Sequence, residues 1–230
     1  MSENRKFSVL MSVYVKENPV FLEEAVESIL NQTLKPSEVI LVEDGPLTPE
    51  LYQVLEKLTA QSTIPVKRCP LEQNRGLGLA LQYGVLQCQY DVIARMDTDD
   101  IAVEDRFEQQ FELMEKENLD LLGGHIAEFI DRPDEIVSYR RVPIKHEDIV
   151  VYQRMRSAFN HMTVMFKKEM VLKAGNYEDG LYMEDDLLWL NMISAGARTG
   201  NVDQILCKVR VGAGMFERRG GLRYLKLYRQ

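Results

Sequence analysis

The sequence predicts an α/β protein with a mostly parallel central sheet and helices on both faces. Short apolar, β-prone runs alternate along the chain with segments whose apolar residues recur at helical spacing. Polar clusters follow three of those runs, at residues 14–17, 43–45 and 97–100. In a parallel sheet such positions meet at one edge, where ligands bind. The 230 residues, of which 45% are hydrophobic, can bury a substantial core.

The first half of the chain alternates regularly between strands and helices. The run FSVLMSVYV predicts a buried strand, and Asn18-Pro19 then supplies a helix cap and a favourable first helical residue. In the helix that follows, one apolar stripe is formed by Leu22, Ala25, Val26, Ile29 and Leu30. The other predicted elements are a strand at 38–43, a helix at 49–61, a strand at 65–69, a helix at 74–88 and a strand at 90–96.

The second half is less regular. Its predicted elements are a helix at 103–118, strands at 119–129 and 136–141, a helix at 147–155, a strand at 163–166, a helix at 184–195 and a strand at 205–211. No internal repeat, low-complexity tract or linker interrupts the chain. We therefore expect a single domain over residues 1–230.

The composition excludes several classes of protein. The chain carries 28 basic and 36 acidic residues, a net charge of −8, which argues against nucleic-acid binding. No apolar run approaches the roughly 18 residues that a membrane-spanning helix needs, and the N-terminal apolar stretch is too short for a signal peptide. The three cysteines have no CxxC spacing and indicate reduced thiols. We therefore expect a cytoplasmic protein without disulfides or a zinc site.

Basic residues concentrate at the C-terminal end. From residue 208 onward the chain has seven basic residues and one acidic residue, Glu217. This segment predicts either an anionic partner, such as a diphosphate or an anionic membrane surface, or a solvated helix face. After Gly220-Gly221, Leu222, Leu225 and Tyr228 recur at helical spacing. That pattern predicts an amphipathic helix that packs on the domain or lies at a membrane surface.

An acidic cluster directly follows the strand predicted at 90–96. Asp97, Thr98, Asp99 and Asp100 stand in a row there. Because neighbouring carboxylates repel one another, burying them together is costly unless a cation is bound, and oxygen ligands suit Mg²⁺ or Mn²⁺. Asp97 and Asp99 would face the same side of an extended segment. The alternative is that Asp99 or Asp100 caps the helix predicted at 103–118.

Two further acidic positions have both a structural and a functional interpretation. Asp44, before Gly45, suits a turn, but its carboxylate could also accept a hydrogen bond from a nucleobase. Glu184, Asp185 and Asp186 suit the positive end of a helix, yet three in a row exceed what capping needs. A crowded carboxylate has a raised pKa and can act as a general base.

The order of these segments resembles that of glycosyltransferase family 2, the inverting nucleotide-sugar transferases with a GT-A fold. The similar segments are SVLMSVY with Glu17, SILNQTLKPSEVILVEDG, NRGLGLALQYGV, YDVIARMDTDD and MEDDLLW, in that order. Together they span about residues 7–189. Within the family, the chain looks most like bacterial exopolysaccharide and capsule enzymes of the amylovoran-biosynthesis type.

The resemblance implies a GT-A fold: a Rossmann-like, mostly parallel sheet flanked by helices, with a smaller acceptor-side region. It implies a nucleotide-binding half at about 1–100, a catalytic and acceptor half at about 101–210, and a basic tail at 211–230. It also implies roles for the residues that match the family's motifs. Those implied to bind the nucleotide or its sugar are Ser12, Val13, Tyr14, Glu17, Asp44 at the base, Asn74, Arg75, Gly76, Arg95, Asp97, Thr98 and Asp99.

The resemblance assigns the metal to Asp99, with Asp97 beside it, and the general base to Asp185, with Glu184 before it. Asn160, His161 and Met162 would lie near the sugar or the acceptor. The chain departs from the family pattern twice. Asp186 replaces the usual aromatic residue, so the base is either Asp185 or Asp186. A late histidine near the metal is missing, and Arg210, Arg218 and Arg219 would instead stabilise the diphosphate.

The implied activity is transfer of a sugar, with inversion, from a UDP-sugar to a hydroxyl of a saccharide or of a polyprenyl-diphosphate-linked saccharide. A divalent cation, Mn²⁺ or Mg²⁺, would stabilise the leaving diphosphate. The basic tail would bring the enzyme to the inner face of the membrane near its acceptor. Three alternatives share parts of the pattern: a metal-dependent phosphatase, a nucleotidyltransferase and a non-catalytic nucleotide-sugar-binding protein. The order of five motifs favours the transferase over all three.

Overall fold

The computed structural model of the chain describes residues 5–179 and 183–212. Its strands are β1 (Phe7–Val13), β2 (Glu38–Glu43), β3 (Val66–Pro70), β4 (Val92–Arg95), β5 (Ile101–Ala102), β6 (Leu121–Phe129), β7 (Ile136–Arg140), β8 (Met165–Lys167) and β9 (Thr199–Arg210). Its α-helices are α1 (Pro19–Leu30), α2 (Pro49–Gln61), α3 (Leu77–Gln87), α4 (Arg106–Glu117), α5 (His146–Tyr152), α6 (Lys168–Lys173) and α7 (Glu184–Ser194). The predicted helix in the C-terminal tail lies outside the described residues.

Local sequence signals explain where the first helices begin. Asn18 caps α1 by accepting a hydrogen bond from the Val20 amide at 2.9 Å, and Thr48 caps α2 in the same way. A proline follows each cap at the first helical position. By contrast, α3 begins at Leu77, three residues later than predicted. The reason is Gly76, whose φ of 85° cannot belong to a right-handed helix.

The described strands form one sheet in the order β3-β2-β1-β4-β8-β6-β9-β5, with β7 paired to β6. The strands β3, β2, β1 and β4 are parallel neighbours, as the regular alternation of the first half predicts. Beyond them, β8 runs antiparallel to both β4 and β6. From β1 the chain proceeds to β2 and β3 on one side and then to β4 on the other. The strand order therefore reverses between β1 and β4, the kind of place where α/β proteins bind ligands.

Two apolar layers cover the sheet. One contains the buried faces of α1, α2 and α4, and the other contains those of α3, α5, α6 and α7. Four of the five residues in the predicted α1 stripe are fully buried, and Leu30 is partly buried. Gly84 lets α3 approach β1 closely, since a Cβ there would lie 2.4 Å from Leu10 Cδ1. The predicted α/β class is thus confirmed, with helices on both faces of the sheet.

Several predictions for the second half are wrong in detail. The strand predicted at 163–166 begins two residues later, at Met165, because residues 161–163 form a 3₁₀ helix, and β5 and α6 were not predicted. The strand β9 begins at 199, six residues earlier than predicted, because it pairs with the whole length of β6. Since α4 begins at Arg106, neither Asp99 nor Asp100 caps it. In the described parts of the chain, no helix has the length and apolarity to cross a membrane.

Candidate active site

The candidate site lies at the carboxyl ends of β1, β2 and β4. Strand register places Val13 beside Glu43 and Leu10 beside Arg95, so the loops after these strands share one edge of the sheet. Val13 is fully buried in the core, and its carbonyl accepts the Asp44 amide at 2.8 Å. The three polar clusters of the sequence therefore do meet, as the parallel topology predicts.

A hydrogen-bonded link joins the loops after β1 and β4. Thr98 Oγ1 donates to the Glu17 carboxylate at 2.8 Å and lies 3.2 Å from the Ser12 carbonyl. The Glu17 amide in turn donates to the carbonyl of Tyr14 at 3.0 Å, which closes the turn after β1. Thr98 is buried, so this link fixes the acidic loop against the first strand. The four residues are those that the resemblance assigns to the nucleotide or its sugar.

The carboxylates of Asp97, Asp99 and Asp100 converge. Each offers one oxygen, and these oxygens all lie within 4.8 Å of one another. Burial, followed by the negative charges of Asp97 and Glu17, raises the pKa of Asp99 to about 7. Burial and its two aspartate neighbours also raise the pKa of Asp100 well above its ordinary value. Convergent, partly buried oxygen ligands that repel one another fit a divalent cation such as Mg²⁺ or Mn²⁺.

The sequence had singled out Asp97 and Asp99 as the ligand pair, and the structure adds Asp100. Asp100 is 2% exposed, and one of its carboxylate oxygens accepts the Arg210 backbone amide at 2.9 Å. That contact holds the loop against the end of β9. Strand β9 starts far away in sequence, so no local pattern around Asp100 could have predicted this partner.

Arg95, the last residue of β4, lies between the acidic groups. Its side chain is 2% exposed and forms an ion pair with Asp97. Within the described residues its Nε and Nη1 have no hydrogen-bond partner, although buried guanidinium donors are costly to leave unpaired. Burial raises the pKa of both Asp99 and Asp185, and the positive charge of Arg95 offsets part of each rise. Both acidic clusters are therefore within electrostatic reach of one guanidinium that has donors to spare.

A second buried arginine supports this arrangement and was missed in the sequence. Arg106, the first residue of α4, is fully buried, and its Nη2 donates to the Arg95 carbonyl at 2.7 Å. Its Nε also donates to Gln110 at 3.0 Å. The only sequence signal is an arginine and a glutamine four residues apart on one face of a predicted helix, which is common on exposed helices.

Asp44 organises the loop before α3. Its carboxylate accepts the amides of Arg75 and Gly76 at 2.7 and 3.0 Å and the side chain of Asn74 at 2.9 Å. Asp44 is 3% exposed, whereas the three loop residues are exposed. A cavity of about 310 Å³ borders this loop and is lined by Leu71, Glu72, Gln73 and Arg75. Asp44 therefore shapes this loop.

The second acidic cluster lies in the first turn of α7, as predicted. Burial, followed by the negative charges of Asp186 and Glu184, raises the pKa of Asp185 to about 6. Asp186 is different, because its carboxylate accepts a hydrogen bond from Gln153 Nε2 at 2.9 Å. This contact occupies Asp186 and favours Asp185 as the group that can accept a proton.

An aromatic cluster packs beside the two acidic clusters. His161 Nε2 lies 2.9 Å from the Tyr177 hydroxyl, and both rings contact the fully buried Trp189. Burial and the nearby Arg95 charge lower the pKa of His161 well below its ordinary value, so the ring is neutral. Asn160 instead donates to the Gly124 carbonyl and Met162 is buried. Tyr177 was missed, since a lone tyrosine carries no distinguishing pattern.

The structure gives Arg210 other partners than a diphosphate. Its guanidinium pairs with Glu24 at 2.6 Å and lies over the rings of Phe21 and Phe129, at 3.8 and 4.7 Å from their centroids. Its Nε is 3.4 Å from the Asp99 carbonyl. A direct role at the diphosphate is therefore replaced by one in holding the acidic loop. Arg218 and Arg219 lie outside the described residues.

Comparison with known proteins identifies the family. The model of the family described as "Glycosyl transferase family 2" matches residues 8–174. The chain belongs to glycosyltransferase family 2. It is 46% identical to an uncharacterized glycosyltransferase of Haemophilus influenzae, over 96% of this chain and 82% of that one. It is 42% identical to the amylovoran biosynthesis glycosyltransferase AmsE of Erwinia amylovora, with the same coverage.

A third relative has a more specific name. The chain is 38% identical to the UDP-Gal:alpha-D-GlcNAc-diphosphoundecaprenol beta-1,3-galactosyltransferase of Escherichia coli, over 95% of this chain and 79% of that one. Together these relatives confirm the resemblance to bacterial polysaccharide enzymes. They also support transferase activity over the phosphatase, nucleotidyltransferase and non-catalytic alternatives.

Solved structures confirm the GT-A fold. TarS of S. aureus in complex with UDP-GlcNAc superposes with a TM-score of 0.76 at 16% identity, over 97% of this chain and 64% of that one. The mannosyltransferase PcManGT of Pyrobaculum calidifontis, in complex with GDP-Man and Mn²⁺, superposes with a TM-score of 0.69 at 15% identity, over 90% and 57%. The chain thus spans less than two thirds of either solved chain.

Proposed function

We propose that this chain transfers a sugar from a UDP-sugar to a hydroxyl of a saccharide or lipid-linked saccharide, with inversion at the anomeric carbon. The observation that carries the proposal is the placement of two acidic clusters around the Arg95 guanidinium. One cluster converges on a candidate cation site and the other offers a single carboxyl group with a pKa of about 6. An inverting transferase needs these two functions: stabilisation of a leaving diphosphate and removal of a proton from an acceptor hydroxyl.

At the donor end, Asp99 with Asp97 and Asp100 would hold Mn²⁺ or Mg²⁺. A bound divalent cation would neutralise charge that develops on the leaving diphosphate. Arg95 would donate its two unpartnered N–H groups to phosphate or sugar oxygens of the donor. The Asp44 loop, with Asn74, Arg75 and Gly76, would bind the base and ribose together with Ser12, Tyr14 and Glu17, while the buried Val13 would act only by holding the Asp44 amide.

At the acceptor end, Asp185 would accept the proton of the attacking hydroxyl. Its raised pKa makes it a stronger base than an ordinary aspartate, while it remains ionised above about pH 6. Glu184 and Asp186 would contribute mainly by raising that pKa. The hydroxyl oxygen would attack the anomeric carbon opposite the departing diphosphate, so no covalent enzyme intermediate is formed.

The names of the relatives support the substrate classes. The E. coli relative is named for UDP-galactose and for an acceptor with a diphosphoundecaprenol carrier, and the Erwinia relative for amylovoran biosynthesis. We propose that this chain likewise uses a UDP-sugar as donor and a polyprenyl-diphosphate-linked saccharide as acceptor. We also propose that it acts in exopolysaccharide or capsule synthesis. The division into a nucleotide-binding half at 1–100 and an acceptor half at 101–210 belongs to the same proposal.

A panel of UDP- and GDP-sugars with Mn²⁺ tests this function. Each donor is incubated with the chain and with saccharide acceptors, both free and linked to a short-chain lipid diphosphate. We expect a glycosylated product with one UDP-sugar, and NMR should show an anomeric configuration opposite to that of the donor. A product with retained configuration would contradict the proposal. So would release of phosphate together with the absence of sugar transfer from any of the donors.

The basic tail supports a location at the inner face of the membrane. Each basic residue near an anionic surface contributes about 1 kcal/mol, so several would give weak, salt-sensitive binding. We expect the full chain to sediment with anionic liposomes at low salt and not at high salt. A version ending at Arg219 should sediment less. Equal sedimentation of both versions would contradict the membrane role.

A further inference from the structure

A short turn after α5 lies beside the second acidic cluster. It comprises residues 153–157, and we call it the arginine turn. The amides of Met155 and Arg156 both donate to the Tyr152 carbonyl at 3.0 Å. Gln153 Oε1 accepts the Ala158 amide at 2.8 Å, and Gln153 Nε2 donates to Asp186. The turn is therefore fixed at both ends, and it is tied directly to the residue next to Asp185.

The side chains on this turn are exposed and combine charge with apolar surface. Met155 is 80% exposed, the largest value among the exposed large hydrophobic side chains of the described residues. Arg154 and Arg156 flank it and are also exposed. Within residues 5–179 and 183–212, neither arginine has a hydrogen-bond or ion-pair partner. Arg154 and Arg156 are therefore two unpaired guanidinium groups only two residues apart on one short turn.

Helix α7 carries a second exposed apolar side chain. Leu190 lies four residues after Asp186, hence on the same face of the helix, and is 41% exposed. Asp186 in turn contacts the arginine turn through Gln153. The turn that carries the two guanidinium groups and Met155 is thus joined, through Gln153, to the acidic cluster that is proposed to face the acceptor.

We propose that the arginine turn binds the diphosphate of the lipid-linked acceptor, with Met155 and Leu190 against the start of its lipid chain. Two adjacent cationic forks match the charge and oxygen geometry of two linked phosphoryl groups. An apolar chain attached to that diphosphate covers apolar side chains that would otherwise remain in water. The sugar at the other end of the diphosphate would then extend toward Asp185. This inference rests on the proposed function, of which it specifies the acceptor site.

The test compares Arg154→Gln/Arg156→Gln with a control that removes the same charge elsewhere. The control is Lys6→Gln/Arg198→Gln, since both residues are exposed and lie before the first residues of β1 and β9, at the strand ends away from the site. KM is measured for two acceptors that share one saccharide. One carries a short-chain isoprenyl diphosphate and the other carries a neutral alkyl group.

We expect Arg154→Gln/Arg156→Gln to raise KM about tenfold or more for the diphosphate acceptor, because charge-assisted hydrogen bonds to its phosphoryl oxygens are lost. The KM for the neutral acceptor should be unchanged. The control should change neither. Met155→Gln should raise KM for the isoprenyl diphosphate acceptor, whose chain would lie against this side chain. Equal effects on both acceptors, or no effect on either, would overturn the inference while leaving the proposed transferase intact.

Direct binding separates this inference from the proposed function. Farnesyl diphosphate is titrated into the chain with the donor site filled by UDP and Mn²⁺. We expect saturable binding that the double variant weakens about tenfold and the control does not. If this holds but no acceptor is glycosylated, the proposed function fails and the diphosphate site stands. If the double variant loses only sedimentation with anionic liposomes, the turn binds the membrane surface and the inference is wrong.

Discussion

The two acidic clusters of this chain have the same number of carboxylates but different surroundings. In the cluster after β4, the oxygens of Asp97, Asp99 and Asp100 converge within 4.8 Å, and burial raises the pKa of two of them. In the cluster at the start of α7, Gln153 occupies Asp186, and Asp185 is left with a pKa of about 6. Convergent carboxylates without enough donors favour a cation, whereas a single crowded carboxylate favours a proton. The partners of each cluster, rather than its composition, therefore decide its chemistry.

The largest effect is expected from Asp99→Ala. Removing the central carboxylate of the first cluster should abolish Mn²⁺-dependent affinity for UDP and lower transfer by about 10³-fold or more, since metal stabilisation of the leaving group is lost. Calorimetric titration of UDP with and without Mn²⁺ measures the first effect. Asp91→Asn, which alters an exposed aspartate just before β4, serves as the control. If UDP affinity in Asp99→Ala still depended on Mn²⁺ as in the unaltered chain, the first cluster would not be the cation site and the contrast with the second cluster would fail.

Next in size is the effect of Asp185→Asn. We expect transfer to fall by about 10²-fold or more, the usual scale for loss of a general base, with donor affinity nearly unchanged. Asp186→Asn is the matched control, because its Gln153 partner can still hydrogen-bond to the amide oxygen. Single-turnover rates and UDP titrations separate the two effects. A larger loss in Asp186→Asn would transfer the role of base to Asp186.

The pH dependence of kcat, measured for the unaltered chain and for Asp185→Asn, tests the same comparison. At a pH below the Asp185 pKa of about 6, this carboxyl group is protonated and cannot accept a proton. With donor, acceptor and Mn²⁺ all saturating, kcat should therefore fall about tenfold for each pH unit below that value. Above pH 6 to 7 the rate should level off. In Asp185→Asn the acidic limb should disappear from the residual rate. An unchanged limb in that variant would assign it to another group.

The smallest effect is expected from Arg210→Met. This change removes the ion pair with Glu24 and the contact with the Asp99 carbonyl, but keeps the backbone amide that donates to Asp100. We expect a loss of about 1 kcal/mol in stability and a severalfold rise in the Mn²⁺ concentration needed for half-maximal activity. Arg210→Lys keeps the positive charge, so it should show smaller changes in both stability and the required Mn²⁺ concentration. If the variant lost stability but needed no more Mn²⁺, the Arg210 side chain would have no role in shaping the first acidic cluster.

The first half of the fold follows closely from local sequence. The predicted β2 and α2 match the observed bounds, because each is a continuous pattern that ends at a proline, glycine or cap. The second half was less predictable. Residues 161–163 form a 3₁₀ helix, and β9 extends through 199–204 because β6 pairs along its whole length. Such pairing between distant segments overrides local preference.

The candidate site shows the same division between neighbours in sequence and neighbours in space. Motif order identified both acidic clusters and Asp44, because each consists of adjacent residues at a strand or helix end. It did not reveal that Asp100 accepts the amide of Arg210 or that Gln153 holds Asp186. It also assigned Arg210 to the diphosphate, although that guanidinium pairs with Glu24 and covers two aromatic rings.

The sequence by itself determined the α/β class, the family and the position of the carboxylates along the chain. These follow from hydrophobic periodicity and from short motifs, whose physical content is local. Only the tertiary structure decided which carboxylates converge, which are neutralised by a partner and which retain a raised pKa. Those properties depend on burial and on charges that folding brings together from β4, α5, α7 and β9. Arg95 is the clearest case, since its fully buried guanidinium influences both clusters from one point.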